Sequence, residues 1–306
     1  MTDNFYSDHR NHYELITQEP LLCCAILTVS CRSHLLHGGG GVSRSVYLHQ
    51  RLWDHCQHLV TRIVFGQEKM SKAKTRTFRA IQALLILAEW CPRGIHFPPQ
   101  TDGWDSDLIF QAQDERDDPG GNRASDLSAR WFREVVVPTK LMDRMSWMLL
   151  GCGMSLSHEL GVFQAAVTGT SHPHPVAERK CGGPIGSSWM RKLLYIADEQ
   201  LSGRLQCTSQ VPVSLSMTVS PRVSVDGPDE TRNDLQRKNA YYDLATISRS
   251  ISDTVFPTTT VTRGLIQSNA YIGTINHFQQ LLAKWRQNNP GNPSMPFRLF
   301  PNSDYV

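Results

Sequence analysis

Apolar residues three and four positions apart recur through most of this chain, and that spacing constrains its fold more than any other feature. Ile275, Phe278, Leu281, Leu282 and Trp285 make one such stripe. Leu52, Cys56, Leu59 and Ile63 make another. A period near 3.6 puts these residues on one face of a helix and on no single face of a strand. The pattern predicts helices over about Leu21–Leu36, Ser45–Phe65, Thr77–Trp90, Met142–Phe163, Ser188–Leu205, Asp234–Val255 and Thr262–Asn288. Pro20 suits the start of the first, and the four glycines Gly38 to Gly41 are expected to end it. Val211 to Val225 alternates weakly, but Pro212 and Pro221 argue against a strand there. No repeat of solenoid length is visible. The predicted class is all-α, an irregular multi-helix domain with long Pro/Gly-rich loops near 92–129, 165–187 and 206–233.

The 306 residues are enough to bury a sizeable core, and a hydrophobic share of 40% leaves room for long polar connections. A net charge of +3 gives no overall basic field, so any grip on DNA must be local or lie in another module. The polar start "MTDNFYSDHRNHYE" has no secretory h-region. The longest apolar run, Trp147 to Leu156, is about half of a membrane span. An intracellular protein without a membrane anchor is expected. None of the eight cysteines forms a C-x-x-C pair, and most sit in helical pattern, which predicts free thiols in place of a disulfide framework.

Several short motifs invite a chemical role, and each has a plainer explanation. The run "KMSKAKTRTFR", Lys69 to Arg79, is interrupted by uncharged residues and leads into a helix, so a solvated helix entrance is expected. Asp102, Asp105 and Asp107 lack the central Gly and closing Glu of an EF-hand loop. The G-x-G at Gly151 and Gly153 lies inside a continuous helical period, where small residues favour close helix packing over phosphate binding. His158 and Glu159 are followed by Val162 where a zincin needs its second His. His172 and His174 have no carboxylate or thiol at a partner spacing. No G-x-S-x-G elbow or Walker loop occurs, no metal site is expected, and no catalytic residue is assigned.

One stretch resists that treatment. "ILAEWCPRGIHFPPQTDGWDSD" runs from an apolar helix into a proline-broken loop rich in Trp, His and Asp. Together with "YELITQEPLLCCAILTVSCRSH", "HQRLWDHCQHLVTRIVFGQEK", "DRMSWMLLGCGMSLSHELGVF" and "RKLLYIADEQLSGRL", it resembles the middle homology region of fungal zinc-binuclear-cluster transcription factors. Within that family it is most similar to the group containing activators of aromatic amino-acid catabolism. The resemblance runs from about Phe5 to Asn288; residues 289–306 read as an irregular tail, and the domain as truncated.

The resemblance implies an all-helical regulatory region of a nuclear regulator of RNA polymerase II transcription, over residues 1–288. It implies gating by a small-molecule inducer or by contact with transcription machinery or repressor proteins, with homodimerisation among the family's options. Trp90, His96, Trp104 and Trp147 are the residues it suggests for an effector pocket. DNA binding and zinc belong in that family to a module of six cysteines that begins with C-x-x-C pairs, and no window of this chain contains one. Gln206 stands where the family pattern leads one to expect a glycine. A non-catalytic helical interaction scaffold without a ligand is the alternative.

Overall fold

The computed structural model describes residues 9–34, 36–68, 70, 72–90, 131–163, 183–212 and 229–289. Among them are nine α-helices, one π-helical turn and no strand, so the class is all-α. In chain order the helices are α1 (His9–Gln18), α2 (Pro20–Ser33), α3 (Gly41–Val64), α4 (Phe78–Trp90), α5 (Val137–Glu159), α6 (Gly183–Leu205), α7 (Asp229–Val255), α8 (Thr259–Gln267) and α9 (Tyr271–Asn288). The π turn, Phe132–Val136, leads directly into α5. No single helix among the described residues is long and apolar enough to cross a membrane.

Helix α4 is the centre of the bundle. Its sequence, FRAIQALLILAEW, is apolar around most of its circumference, and such a helix must be covered on several sides. Helix α2 covers it with Leu21, Leu22 and Ala25, and α5 with Leu150 and Met154, while Leu194 of α6 approaches it across Gly153. Ile81, Ala83 and Leu84 are wholly buried there. Each fully buried Leu or Ile side chain contributes about 1.5–3 kcal/mol. Helix α3 lies on α2 through Ser45, His49, Trp53, Cys56, Leu59 and Ile63. Trp53 takes the inward place expected for Leu52, which is half-buried. Across that contact His49 Nδ1 meets the Thr28 carbonyl at 2.9 Å. Helices α6 and α7 make the second layer, and α9 packs on α7.

Several boundaries differ from the sequence expectation. Helix α2 stops at Ser33, so the glycines 38–41 do not end it; they lead into α3, which starts at Gly41. A Cβ on Gly41 would overlap the Leu36 carbonyl oxygen, so only glycine fits that start. Helix α6 begins at Gly183, inside the predicted loop 165–187, because Pro184 falls in its first turn, where the missing N–H has no helical partner to lose. Helix α7 begins at Asp229, inside the predicted loop 206–233. The π turn and the N-terminal residues of α5 extend helical structure upstream of Met142 around Pro138, which cannot donate to the preceding turn. The expected helix Thr262–Asn288 is two helices, with a turn at Asn269 (φ 54°) between α8 and α9. Polar α1, which carries little apolar patterning, is anchored by Leu15 and meets α2 at 106°. The loop expected over 92–129 lies outside the described residues, as do 164–182 and 213–228.

Helices α3, α5 and α6 end in the same left-handed turn. The amide just after the left-handed residue donates to the carbonyl five residues back: Gln67 to Arg62 (2.8 Å), Val162 to Ser157 (2.9 Å), Cys207 to Ser202 (3.1 Å). The left-handed residue is Gly66 in the first and Gly161 in the second, but Gln206 (φ 53°) in the third.

Candidate functional site

A groove of about 420 Å³ runs along the outer side of α5, between that helix, the C-terminal end of α3 and the segment after α6. Its floor comes from two adjacent lines of α5: Trp147, Gly151 and Ser155, beside Met148, Cys152 and Leu156. Spacings of four residues keep each line on one face. Ile63 and Val64 close one side, Gln210 the other, and Arg76 stands at one end. The volume falls in the range of small-molecule pockets, about 300–1,000 Å³, and an apolar floor with a few polar groups is their usual lining. Met148 is 67% exposed, so the groove is open to solvent. Burial pushes the Cys152 thiol above its ordinary pKa, which leaves it a neutral wall group.

Both flanks of the groove are fastened by polar networks. At one end Arg76 donates to both oxygens of Glu159, through Nε at 2.9 Å and through Nη2, and its Nη1 donates to the Ile63 carbonyl at 2.6 Å. The guanidinium holds the Glu159 carboxyl below its usual range. The segment before Arg76 is pinned as well. Glu68 accepts from Thr75 N (3.0 Å), Thr75 Oγ1 (2.8 Å) and Arg76 N (3.2 Å). Partial burial raises the Glu68 pKa, but these donors and the Lys74 charge outweigh it and the net shift is downward. The described part of the basic run leads into α4 with Lys72 exposed, as expected, but Thr75 and Arg76 are fixed as a strap by Glu68 and Glu159.

The other flank depends on a carboxylate buried inside α6. Asp198 accepts from the Ser209 hydroxyl, from Gln210 N at 3.0 Å and from Val211 N at 3.2 Å. Those bonds fold residues 209–211 back along α6 and bring Gln210 to Gly151, where a Cβ would sit 3.3 Å from the Gln210 amide oxygen. Gly151 thus faces the groove wall, whereas Gly153 is buried against Ile81 and Leu194, where close helix packing was expected.

Of the four residues suggested for an effector pocket, Trp147 lines this groove. Trp90 lines a separate narrow crevice with Thr28, Val29, Arg32, His49 and Leu87, and its carbonyl accepts from Arg32 Nη1 at 2.7 Å. The described structure does not bring the two tryptophans into one cavity. His96 and Trp104 lie outside the described residues, as do Asp102, Asp105, Asp107, His172 and His174. Sequence reasoning missed Arg76, Gln210 and Asp198, because their roles depend on contacts between segments far apart in the chain. The departure at Gln206 was the one local signal pointing to the exit of α6.

The cysteines among the described residues are free thiols. Cys23 and Cys24 sit on apolar α2 with thiol pKa values raised by burial, that of Cys24 to about 11. Among the described residues no three His, Cys, Asp or Glu side chains converge in a way that would hold a metal.

No family model matches the chain and no solved structure matches it. One curated relative does, a protein named transcription factor hmgR of Aspergillus fumigatus, at 40% identity over 291 residues. The alignment takes in 94% of this chain but 38% of the relative's length. Over nearly its whole length, the chain is therefore similar to a part of a fungal transcription factor.

Proposed function

We propose that the chain is the helical regulatory region of a nuclear fungal transcription regulator of the zinc-cluster type, acting on RNA polymerase II transcription of amino-acid catabolism genes. The observation that carries this reading is the 40% identity to a named transcription factor across 94% of the chain. Catalysis has no part in it. DNA contact and zinc belong to a separate cysteine-rich module, and transcription machinery or repressor proteins are the macromolecular partners.

The effector site is the groove over α5. An inducer with an apolar body lies against Trp147 and Met148 and makes polar contacts near Gln210 and Arg76. It shifts the domain between restraining and permissive states by its difference in affinity for the two. Trp90, His96 and Trp104 belong to the same reading through the family resemblance, while Trp147 is the residue the groove geometry favours.

The test is Trp147→Ala in the full gene product, with transcription of the catabolic genes measured after transfer to an aromatic amino acid and protein level followed by immunoblot. Loss of induction at unchanged protein level supports the reading. An intact response removes the groove from it, and an unchanged transcript profile after gene deletion removes the regulator itself.

A further inference from the structure

Helix α9 carries an apolar stripe wider than the surface that covers it. Tyr271, Ile275, Phe278, Leu282 and Trp285 follow one another at spacings of four and three, so all five fall on one side of the helix. Helix α7 covers one edge of that side: Phe278 is buried, and Trp285 Nε1 donates to the Ala240 carbonyl at 2.9 Å. The other edge is bare. Ile275 is 49% exposed, and Tyr271 and Leu282 are 38% exposed. Arg286, four residues beyond Leu282, continues the bare edge. On the adjoining α8, Val261 and Ile266 are exposed too.

Along α8 and α9 themselves the charge is of one sign. From Thr254 to Asn289 the chain holds Arg263, Lys284 and Arg286 and no Asp or Glu. Among the described residues none of these three cations takes part in an ion pair.

From these two features we infer that the α8–α9 segment is a docking surface for an acidic amphipathic helix, whose apolar side covers Tyr271, Ile275 and Leu282 while its carboxylates meet Arg286 and its neighbours. Apolar anchors at helical spacing with a charged border are how a groove or face reads such a helix. Electrostatic complementarity supplies steering and register. A phosphodiester backbone would leave the aliphatic edge unburied. A second copy of this chain would bring two like-charged α8–α9 segments together. The inference stands independently of the groove over α5.

The test uses the 306-residue chain and a fluorescein-labelled synthetic helix of about 18 residues, with Leu and Phe at spacings of three and four and Glu elsewhere. Fluorescence anisotropy is expected to show saturable binding that weakens as salt rises. Binding should fall at least tenfold for Ile275→Glu with Leu282→Glu, and several-fold for Arg286→Glu. Circular dichroism checks that these exposed substitutions leave the helical signal intact; should the double variant unfold, Arg286→Glu alone decides. Equal binding of a composition-matched scrambled peptide or of a Lys-for-Glu version overturns the inference, as does binding unchanged in Arg286→Glu. A concentration-dependent dimer in sedimentation that Ile275→Glu abolishes overturns it in favour of a second copy. Duplex DNA that competes for the same edge overturns it in favour of nucleic acid.

Discussion

Arg76 and Glu159, 83 positions apart in sequence, form a two-point ion pair that fastens the strap before α4 to the last turn of α5. Both side chains remain partly in water, 29% and 47% exposed, so the pair contributes at most about 1 kcal/mol. Its value to the molecule is positional, because it sets the open end of the groove that Trp147 lines.

Glu159→Gln is expected to destabilise the chain by less than about 1 kcal/mol at pH 7. The folded-state pKa of Glu159 is depressed by Arg76, so its contribution is present above the unfolded-state value and is lost as pH falls through the folded one. Urea denaturation of the parent and the variant should therefore differ at pH 7 and draw together as pH falls through the depressed folded-state pKa. A gap that stays constant over that range would show that the charge is not what matters.

Asp198→Ala removes the acceptor of two backbone amides and one hydroxyl at a fully buried site. The expected cost is about 3 kcal/mol, since charge-assisted bonds are lost and buried donors are left without partners. Hydrogen exchange gives the local readout. The Gln210 and Val211 amides should exchange faster by far more than those of α4. Equal acceleration everywhere would mean that the variant is only globally weaker.

Arg249 donates to Glu199 of α6 and, at 2.9 Å, to Asp253 on its own helix α7. Burial raises the Glu199 pKa, and the hydrogen bond from Arg249 pulls it partly back. Arg249→Met leaves a buried carboxylate without its cation, at an expected cost of about 3–5 kcal/mol at neutral pH. The folded-state pKa shift of Glu199 is opposite in direction to that of Glu159, but the deficit varies with pH in the same sense. Without Arg249 the Glu199 pKa rises further in the folded state, so the deficit is full at high pH and shrinks as acid protonates the carboxyl. Thermal unfolding at pH 5 and pH 8 checks this; a deficit larger at pH 5 would refute it.

Gln206 occupies the left-handed turn position that Gly66 and Gly161 fill at the ends of α3 and α5. Left-handed backbone costs a residue with a Cβ about 1–2 kcal/mol, of which glycine's extra chain entropy returns part. Gln206→Gly should therefore stabilise by about 0.5–1 kcal/mol, and Gly161→Gln should destabilise by about 1 kcal/mol or more. Melting temperatures moving in opposite directions bear this out. A fall for Gln206→Gly would mean that the exposed side chain does something useful at the exit of α6.

Much of the architecture was legible in the chain. Helices α3 and α4 are close to their expected places because a long apolar period leaves no other secondary structure able to bury it. The failures cluster at boundaries, and two of them share one cause. Pro184 and Pro138 look like helix breakers, but proline in a first turn forfeits no hydrogen bond. The split at Asn269 was hidden because the apolar spacing of α8 and α9 continues in phase across the turn. Of the suggested pocket residues, Trp147 was placed on α5 by its period, yet nothing in the sequence indicates that it shares a groove with Arg76 and Gln210.

What the sequence determined by itself is the helical content, the identity of the inward faces and the likeness to part of a fungal transcription regulator. These come from the local period of side chains and from motifs that are contiguous in the chain. What only the tertiary structure decided is which charged groups lie inside and what they hold. Asp198, Glu199 and Lys192 sit in "RKLLYIADEQL", which reads as an ordinary amphipathic helix. All three are buried, because α6 is covered on more than one side and each finds a partner on α7 or on the segment after α6. Burial of a charge depends on the partner that comes to meet it, and a one-dimensional pattern carries no record of that meeting.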